Sequence, residues 1–175
     1  MFREIAQILL AIQLSAIHGS PPTSREPAIA NVIQDRAQWA DVDPYIFIAI
    51  ITHESQWRER VISGDGEDYG LMQTRARYYY GGKHSNWLLD GVNNIKVGAY
   101  IIKNAKDTCR QHLGREPKTQ EWLACYTGSC TNGGMCKPTK LTKVIEDYQL
   151  CIQDAVENGV SRDCKEIYWP ELKKK

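Results

Sequence analysis

Glu54 ends the run Ile46-Phe47-Ile48-Ala49-Ile50-Ile51-Thr52-His53-Glu54-Ser55, and sixteen residues later the chain reads Gly70-Leu71-Met72-Gln73. Phe47, Ile50, Ile51 and Glu54 fall at i, i+3, i+4 and i+7, so a helix here places the carboxyl on the stripe that faces the core. A carboxyl in apolar surroundings resists ionisation and can donate a proton to a leaving oxygen near neutral pH. Cleavage of a glycosidic bond needs such an acid and a second group that steadies an oxocarbenium-like centre, positions water, or lets the sugar attack itself. Asp65 and Asp68, in the polar loop between the two segments, are the carboxylates available for that second role. The plainer alternative for Glu54 is an exposed helix pair with Arg58, worth about 0.2–0.5 kcal/mol. Asp65, flanked by Gly64 and Gly66, reads as a turn residue, and Asp68 stands between a turn residue and a catalytic one.

These residues need elements to hold them. Ala28, Ile29, Val32, Ile33, Ala37 and Ala40 predict a helix ending near Asp41. Asp43-Pro44 starts the helix that carries Glu54, because aspartate accepts an orphan N–H at the N-cap and proline has none to satisfy. Between Arg58 and Arg77 the helical period is lost and Ser63-Gly64-Asp65-Gly66 marks a tight turn, so an irregular hairpin or loop is expected at about 60–75. Val92, Ile95, Ala99 and Ile102 predict a long helix from Asp90 that stops before Gly114. Thr119 is the expected cap of a shorter helix through Cys125. A last helix carries Leu141, Val144, Ile145, Tyr148, Ile152, Ala155 and Val156 and stops at Asn158-Gly159.

Tyr69, Tyr78, Tyr79, Tyr80 and Trp87 crowd the stretch after the acid, where flat rings with polar tips can lie against sugar faces. The competing expectation is that half of them, Trp87 included, fill core, as do Trp39, Trp57 and Trp122. Arg75 and Arg77 suit either the carboxylates of an anionic glycan or solvated surface. His18, His53, His84 and His112 show no paired metal-ligand spacing, and Met72 belongs to an apolar wall.

The chain of 175 residues, 42% apolar with a net charge of +1, is long enough for one core and lacks the basic excess of a nucleic-acid surface. Residues 1–20 resemble a signal peptide: Arg3, an apolar stretch from Ile8 to Ile17, then Gly19 and Ser20. That stretch is shorter than the ~20 residues a membrane span needs. An amphipathic first helix is the alternative. Residues 21–175 then form a single domain with a cysteine-rich C-terminal half. Cys109, Cys125, Cys130, Cys136, Cys151 and Cys164 favour disulfides over zinc, since no C-x-x-C pair occurs, although all six could be buried thiols. Pairing stays open, with the loop around Asn132-Gly133-Gly134 the one candidate for a local staple.

Glu54-Ser55, the segment Gly64-Asp65-Gly66-Glu67-Asp68-Tyr69-Gly70-Leu71-Met72-Gln73, and Asn94-Ile95 with Gly98 together resemble the lysozyme-like superfamily. The similarity is greatest to bacterial lytic transglycosylases, including the specialised ones of envelope-spanning secretion systems. Goose-type lysozymes share the Glu-Ser and Gly-Leu-Met-Gln pattern. The resemblance covers roughly residues 30 to 130. It implies a mainly α fold (α+β lysozyme-like), a helical bundle around a glycan groove. It also implies an exported, periplasmic or extracellular enzyme that cleaves the MurNAc-β-1,4-GlcNAc bond of peptidoglycan without metal or organic cofactor. On that resemblance Glu54 is the general acid/base and Asp68 the candidate second catalytic carboxylate. Ser55, Tyr69, Gly70, Leu71, Met72, Gln73, Tyr78 and Tyr126 line or position substrate, with Tyr126 orienting the acid. Partners implied are murein strands and a secretion apparatus, with no nucleic acid and no membrane span. The family's Ala-Tyr-Asn-x-Gly is replaced by Cys125-Tyr126-Thr127-Gly128-Ser129, where the cysteines suggest a braced backbone. A hydrolytic lysozyme and a non-catalytic murein-binding or assembly protein are the rival readings, the latter resting on Thr127 and the cysteine loop.

Overall fold

The computed structural model describes residues 26–78, 85–128, 137–158 and 164. The expected signal peptide at residues 1–20, Tyr79, Tyr80, His84, Cys130, Asn132, Gly133, Gly134 and Cys136 lie outside the described residues. The chain gathers into two compact units, one up to Ala99 and one from Tyr100. Among the described residues helices dominate both, and the one sheet is a two-stranded antiparallel ribbon, in agreement with the mainly α fold expected.

In the first unit, α1 (Glu26–Ala40) packs on α2 (Pro44–Ser55). Asp43 caps α2 as its sequence demands: its Oδ1 accepts the Tyr45 N–H at 2.8 Å, and Pro44 fills the first helical position. The amphipathic stripe expected of α2 is absent. Tyr45 through Thr52 are buried without interruption, so α2 is an interior helix and its burial does not select one face. The helix is stopped by two consecutive left-handed residues, Gln56 (φ 52°) and Trp57 (φ 64°). Neither is glycine, and each such residue costs about 1 kcal/mol or more, met here by packing. Trp57 is buried, and its Nε1–H donates to Thr52 Oγ1 at 2.9 Å.

The chain then forms β1 (Asp68–Tyr69) and β2 (Thr74–Arg75), paired Asp68 with Arg75 and Tyr69 with Thr74, with a further bridge from Ile62 to Tyr69. Two 3-10 turns, Ala76–Tyr78 and Ser85–Leu89, follow. Helix α3 (Gly91–Leu113) begins in this unit, with Ile95, Val97 and Ala99 buried.

In the second unit α3 ends where expected: Gly114, at φ 62°, donates its N–H to Arg110 O at 2.9 Å. Helix α4 (Thr119–Tyr126) packs on α5 (Lys140–Glu157) around Trp122, Leu123, Ile145, Tyr148 and Ile152. Thr119 is not the cap. Lys118 takes that position, and the Glu121 carboxylate accepts the Lys118 N–H at 2.7 Å, a longer reach than a threonine hydroxyl has. Thr139 caps α5, and Cys151 is disulfide-bonded to Cys164.

Two tryptophans depart from the sequence expectation. Trp57 and Trp122 are core residues, but Trp39 is 44% and Trp87 40% exposed. Trp39 lies at the end of α1, where its ring sits 5.7 Å from the Arg36 guanidinium instead of in the core. Trp87 lies in a short 3-10 turn, which has room to bury only part of a ring that large; Leu88 takes the buried place beside it.

Candidate active site

Glu54 lies in the last turn of α2 and is half-buried. Among the described residues it has no hydrogen-bond or ion-pair partner, and the alternative pairing with Arg58 does not form. The helix ends at Ser55, the i,i+4 relation is lost, and Arg58 Nε–H donates to Ser55 O at 3.0 Å instead. Burial pushes the Glu54 carboxyl up to about 7, and the negative charge of Asp68 adds to the effect. The helix C-terminus, the negative end of its dipole, acts in the same direction. Burial likewise lowers the neighbouring His53, keeping a second charge out of this region.

Asp68 is held from the other side of the ribbon. Arg75, its cross-strand partner, donates Nε–H to Asp68 Oδ1 at 2.9 Å and Nη2–H to Oδ2 at 3.0 Å. The same guanidinium lies 3.4 Å from Glu67 Oε2 and 3.7 Å from Asp65 Oδ2, so three carboxylates share one cation and its proton is held more tightly than in a free arginine. Arg77 pairs with Glu67 at 2.6 Å. Both arginines are thus occupied by carboxylates of their own chain, a third outcome beside the two expected from sequence. They offset two of the three negative charges of a loop that carries Asp65, Glu67 and Asp68 within four residues. Asp65 is a turn residue: its Oδ1 accepts the Glu67 N–H at 3.1 Å and the Ser63 hydroxyl, which together hold its carboxyl below the ordinary range.

The Gly70-Leu71-Met72-Gln73 segment is built around Asn94, which is 0% exposed. Asn94 Oδ1 accepts the Met72 N–H at 2.7 Å, while its Nδ2 group reaches Tyr69 O at 2.7 Å, Leu88 O at 2.9 Å and Thr74 Oγ1 at 3.0 Å. One amide therefore fixes both strands of the ribbon and the turn between them to α3. Gly70 is obligatory here. It sits at φ 73°, and a Cβ would lie 2.3 Å from Leu88 O and 2.4 Å from Asn94 Nδ2. Gly98 on α3 makes room for Met72, whose Sδ would be 2.2 Å from an added Cβ. Glu59 completes the frame, its Oε1 accepting the Gly91 N–H at 2.7 Å at the positive end of α3.

The residues singled out from the sequence divide into two groups. Glu54, Asp68 and Tyr69 remain at least partly accessible. Ser55, Leu71 and Met72 are buried, and the Ser55 hydroxyl donates back to Ile51 O at 3.2 Å, so these three shape the site from beneath. Gln73, at φ 46°, spends its amide N–H groups on Gly70 O at 2.8 Å and Val61 O at 3.3 Å. Tyr78 ends the 3-10 turn that follows β2. Tyr126 closes α4 in the second unit, followed by Thr127, whose hydroxyl donates to Ala124 O at 3.4 Å, and by Gly128 at φ 70°. Asn94 and Glu59 were not chosen as site residues from the sequence. An asparagine in the first turns of an apolar helix was the available signal, since a buried amide must find partners. Among the described residues no group of three His, Cys, Asp or Glu side chains is arranged to hold a metal ion, and no helix is long and apolar enough to cross a membrane.

A half-buried carboxyl raised to about 7 at the end of an interior helix, within electrostatic reach of a second carboxylate on a glycine-anchored ribbon, is the kind of arrangement that glycan-cleaving enzymes of the lysozyme-like class use. The family model of the transglycosylase SLT domain matches residues 31–132, more than half of the chain, and the chain belongs to that family. Proteins of this family generally cleave peptidoglycan as lytic transglycosylases. No match was found among curated proteins or among solved structures.

Proposed function

We propose that the protein is a peptidoglycan lytic transglycosylase that cuts the MurNAc-β-1,4-GlcNAc bond with Glu54 as general acid and then general base. The observation that carries this reading is the Glu54 carboxyl, raised to about 7 by burial and by Asp68 and left without a hydrogen-bond partner among the described residues. A group so poised protonates the bridging oxygen as the C1–O bond breaks. The resulting carboxylate then takes the proton of the muramyl C6 hydroxyl as that oxygen closes on C1, giving a 1,6-anhydro end and regenerating the acid.

Asp68 serves in this scheme as a fixed negative charge that steadies the oxocarbenium-like centre and keeps Glu54 protonated. Both of its oxygens are engaged by Arg75, which leaves it a poor nucleophile. That clamp favours capture by the C6 hydroxyl over a covalent glycosyl-enzyme. The backbone and exposed edges of residues 69–73, with Tyr78, line the saccharide path, while Ser55, Leu71 and Met72 support it. We read residues 1–20 as a signal peptide, residues 21–175 as the catalytic region, and the periplasm or exterior as its place of work, with an envelope-spanning secretion apparatus as the associated machinery.

The test is digestion of purified murein with mass spectrometry of the soluble products. Anhydro-muropeptides from the native protein and none from Glu54→Gln are expected. Reducing ends in their place would make the enzyme a hydrolytic lysozyme, and binding to sacculi without any soluble product would make it a murein-binding protein.

A further inference from the structure

The loop that joins α3 to α4 turns at Gly114, and its charged residues tie it to the helix on either side. Glu116 lies 2.7 Å from Arg110 and 3.2 Å from Lys106, both on α3, while Arg115 forks onto Glu121 of α4 at 2.7 and 2.9 Å. Cys109 of α3 and Cys125 of α4 carry free thiols that are near enough to act on one another. Cys109 is 5% exposed and Cys125 is half-buried. Among the described residues they belong to no group of three His, Cys, Asp or Glu side chains that could hold a metal ion.

We propose that Cys109 and Cys125 are a disulfide-forming pair that locks α3 to α4 when the protein meets a disulfide-class oxidant. Cys125, the more accessible sulfur, attacks one sulfur of the oxidant as its thiolate, forming a mixed disulfide and releasing one thiolate. The Cys109 thiolate then attacks the Cys125 sulfur, forms the Cys109–Cys125 bond and expels the second. The two cysteine protons pass to the two released thiolates, so the pair loses two electrons and the oxidant gains them. Burial raises both thiols, Cys125 to about 11, so closure in the folded protein is slow at neutral pH and accelerates as pH rises. Tyr126 follows Cys125 directly, and the cross-link fixes the backbone on which it sits.

The experiment uses the full chain treated with oxidised glutathione, then denatured, alkylated with N-ethylmaleimide and digested without reduction. A peptide pair joining Cys109 to Cys125 is expected, formed about tenfold faster per pH unit between pH 7 and pH 9. Alkylation of both residues, linkage of either to another cysteine, or a pH-independent rate would overturn the proposal. As a second measurement, Cys109→Ser/Cys125→Ser should melt about 5–10 °C below the oxidised native protein. Equal melting temperatures would count against a stabilising cross-link. The peptide map decides alone if that variant does not fold. Neither readout depends on murein cleavage.

Discussion

Arg75 grips Asp68 through two parallel hydrogen bonds, at 2.9 and 3.0 Å, across a register pair of the only ribbon among the described residues. The clamp fixes where one negative charge stands relative to Glu54. That charge is one of the two causes of the raised Glu54 pKa, so the ribbon's register bears on the chemistry of a helix end far away in sequence.

The first consequence concerns pH and activity. In the proposed mechanism Glu54 must begin protonated, so kcat/KM should fall as pH rises through about 7. Asp68→Asn removes a charge that raises Glu54 and should move this limb to lower pH. Arg75→Gln leaves Asp68 uncompensated and should move it to higher pH. Limbs that coincide in all three proteins would remove Asp68 from the electrostatics of the acid.

Stability should follow pH in the same direction. The folded-state pKa of Glu54, about 7, lies above its ordinary value of 4.5, so the folded protein binds more protons than the unfolded chain between those values. The contribution is fully present below about pH 4.5 and is lost as pH rises through 7, by up to about 3 kcal/mol. Glu54→Gln cannot ionise. It should unfold with the native protein's stability near pH 4 and exceed it above pH 8, while reducing turnover at least about 100-fold. Chemical denaturation at the two pH values checks the first part and muropeptide release the second.

Asn94→Ala should destabilise by about 2–4 kcal/mol, because it strands the buried Met72 N–H and the carbonyls of Tyr69 and Leu88 at once. Urea denaturation reads the loss. A change within 0.5 kcal/mol would mean that the ribbon is not anchored through this amide.

Gly70→Ala should cost a comparable amount for a different reason. The added methyl meets a backbone carbonyl and the Asn94 amide at under 2.5 Å, in a left-handed conformation. Gly66, also left-handed at φ 75° but with nothing within 4 Å of a built Cβ, is the control. Alanine there should cost about 1 kcal/mol, from conformation alone. Thermal melts of the two variants should separate the steric from the conformational part.

Much of this protein is written in short stretches of its chain. Asp43-Pro44, the stop at Gly114, the irregular hairpin after Arg58 and the periodic last helix were legible because capping and periodicity act between residues a few positions apart. Glu54 could be singled out for the same reason, an acid at the end of an apolar run followed by a glycine-rich loop. The sequence suggested the wrong cause for its burial, since an amphipathic stripe and an interior helix look alike over a span this short.

Other features needed the chain to be folded. Asn94 chooses Met72, Tyr69 and Leu88; Arg75 chooses Asp68 over solvent or substrate; Cys109 finds Cys125; Trp39 and Trp87 stay exposed while Ser55, Leu71 and Met72 are buried. Local propensity does not carry these choices. They follow from which elements the topology brings together and from the requirement that every buried polar group find a partner there. The residue proposed as the acid could therefore be picked out along the chain, and its proton affinity is set only by the neighbours that folding assembled around it.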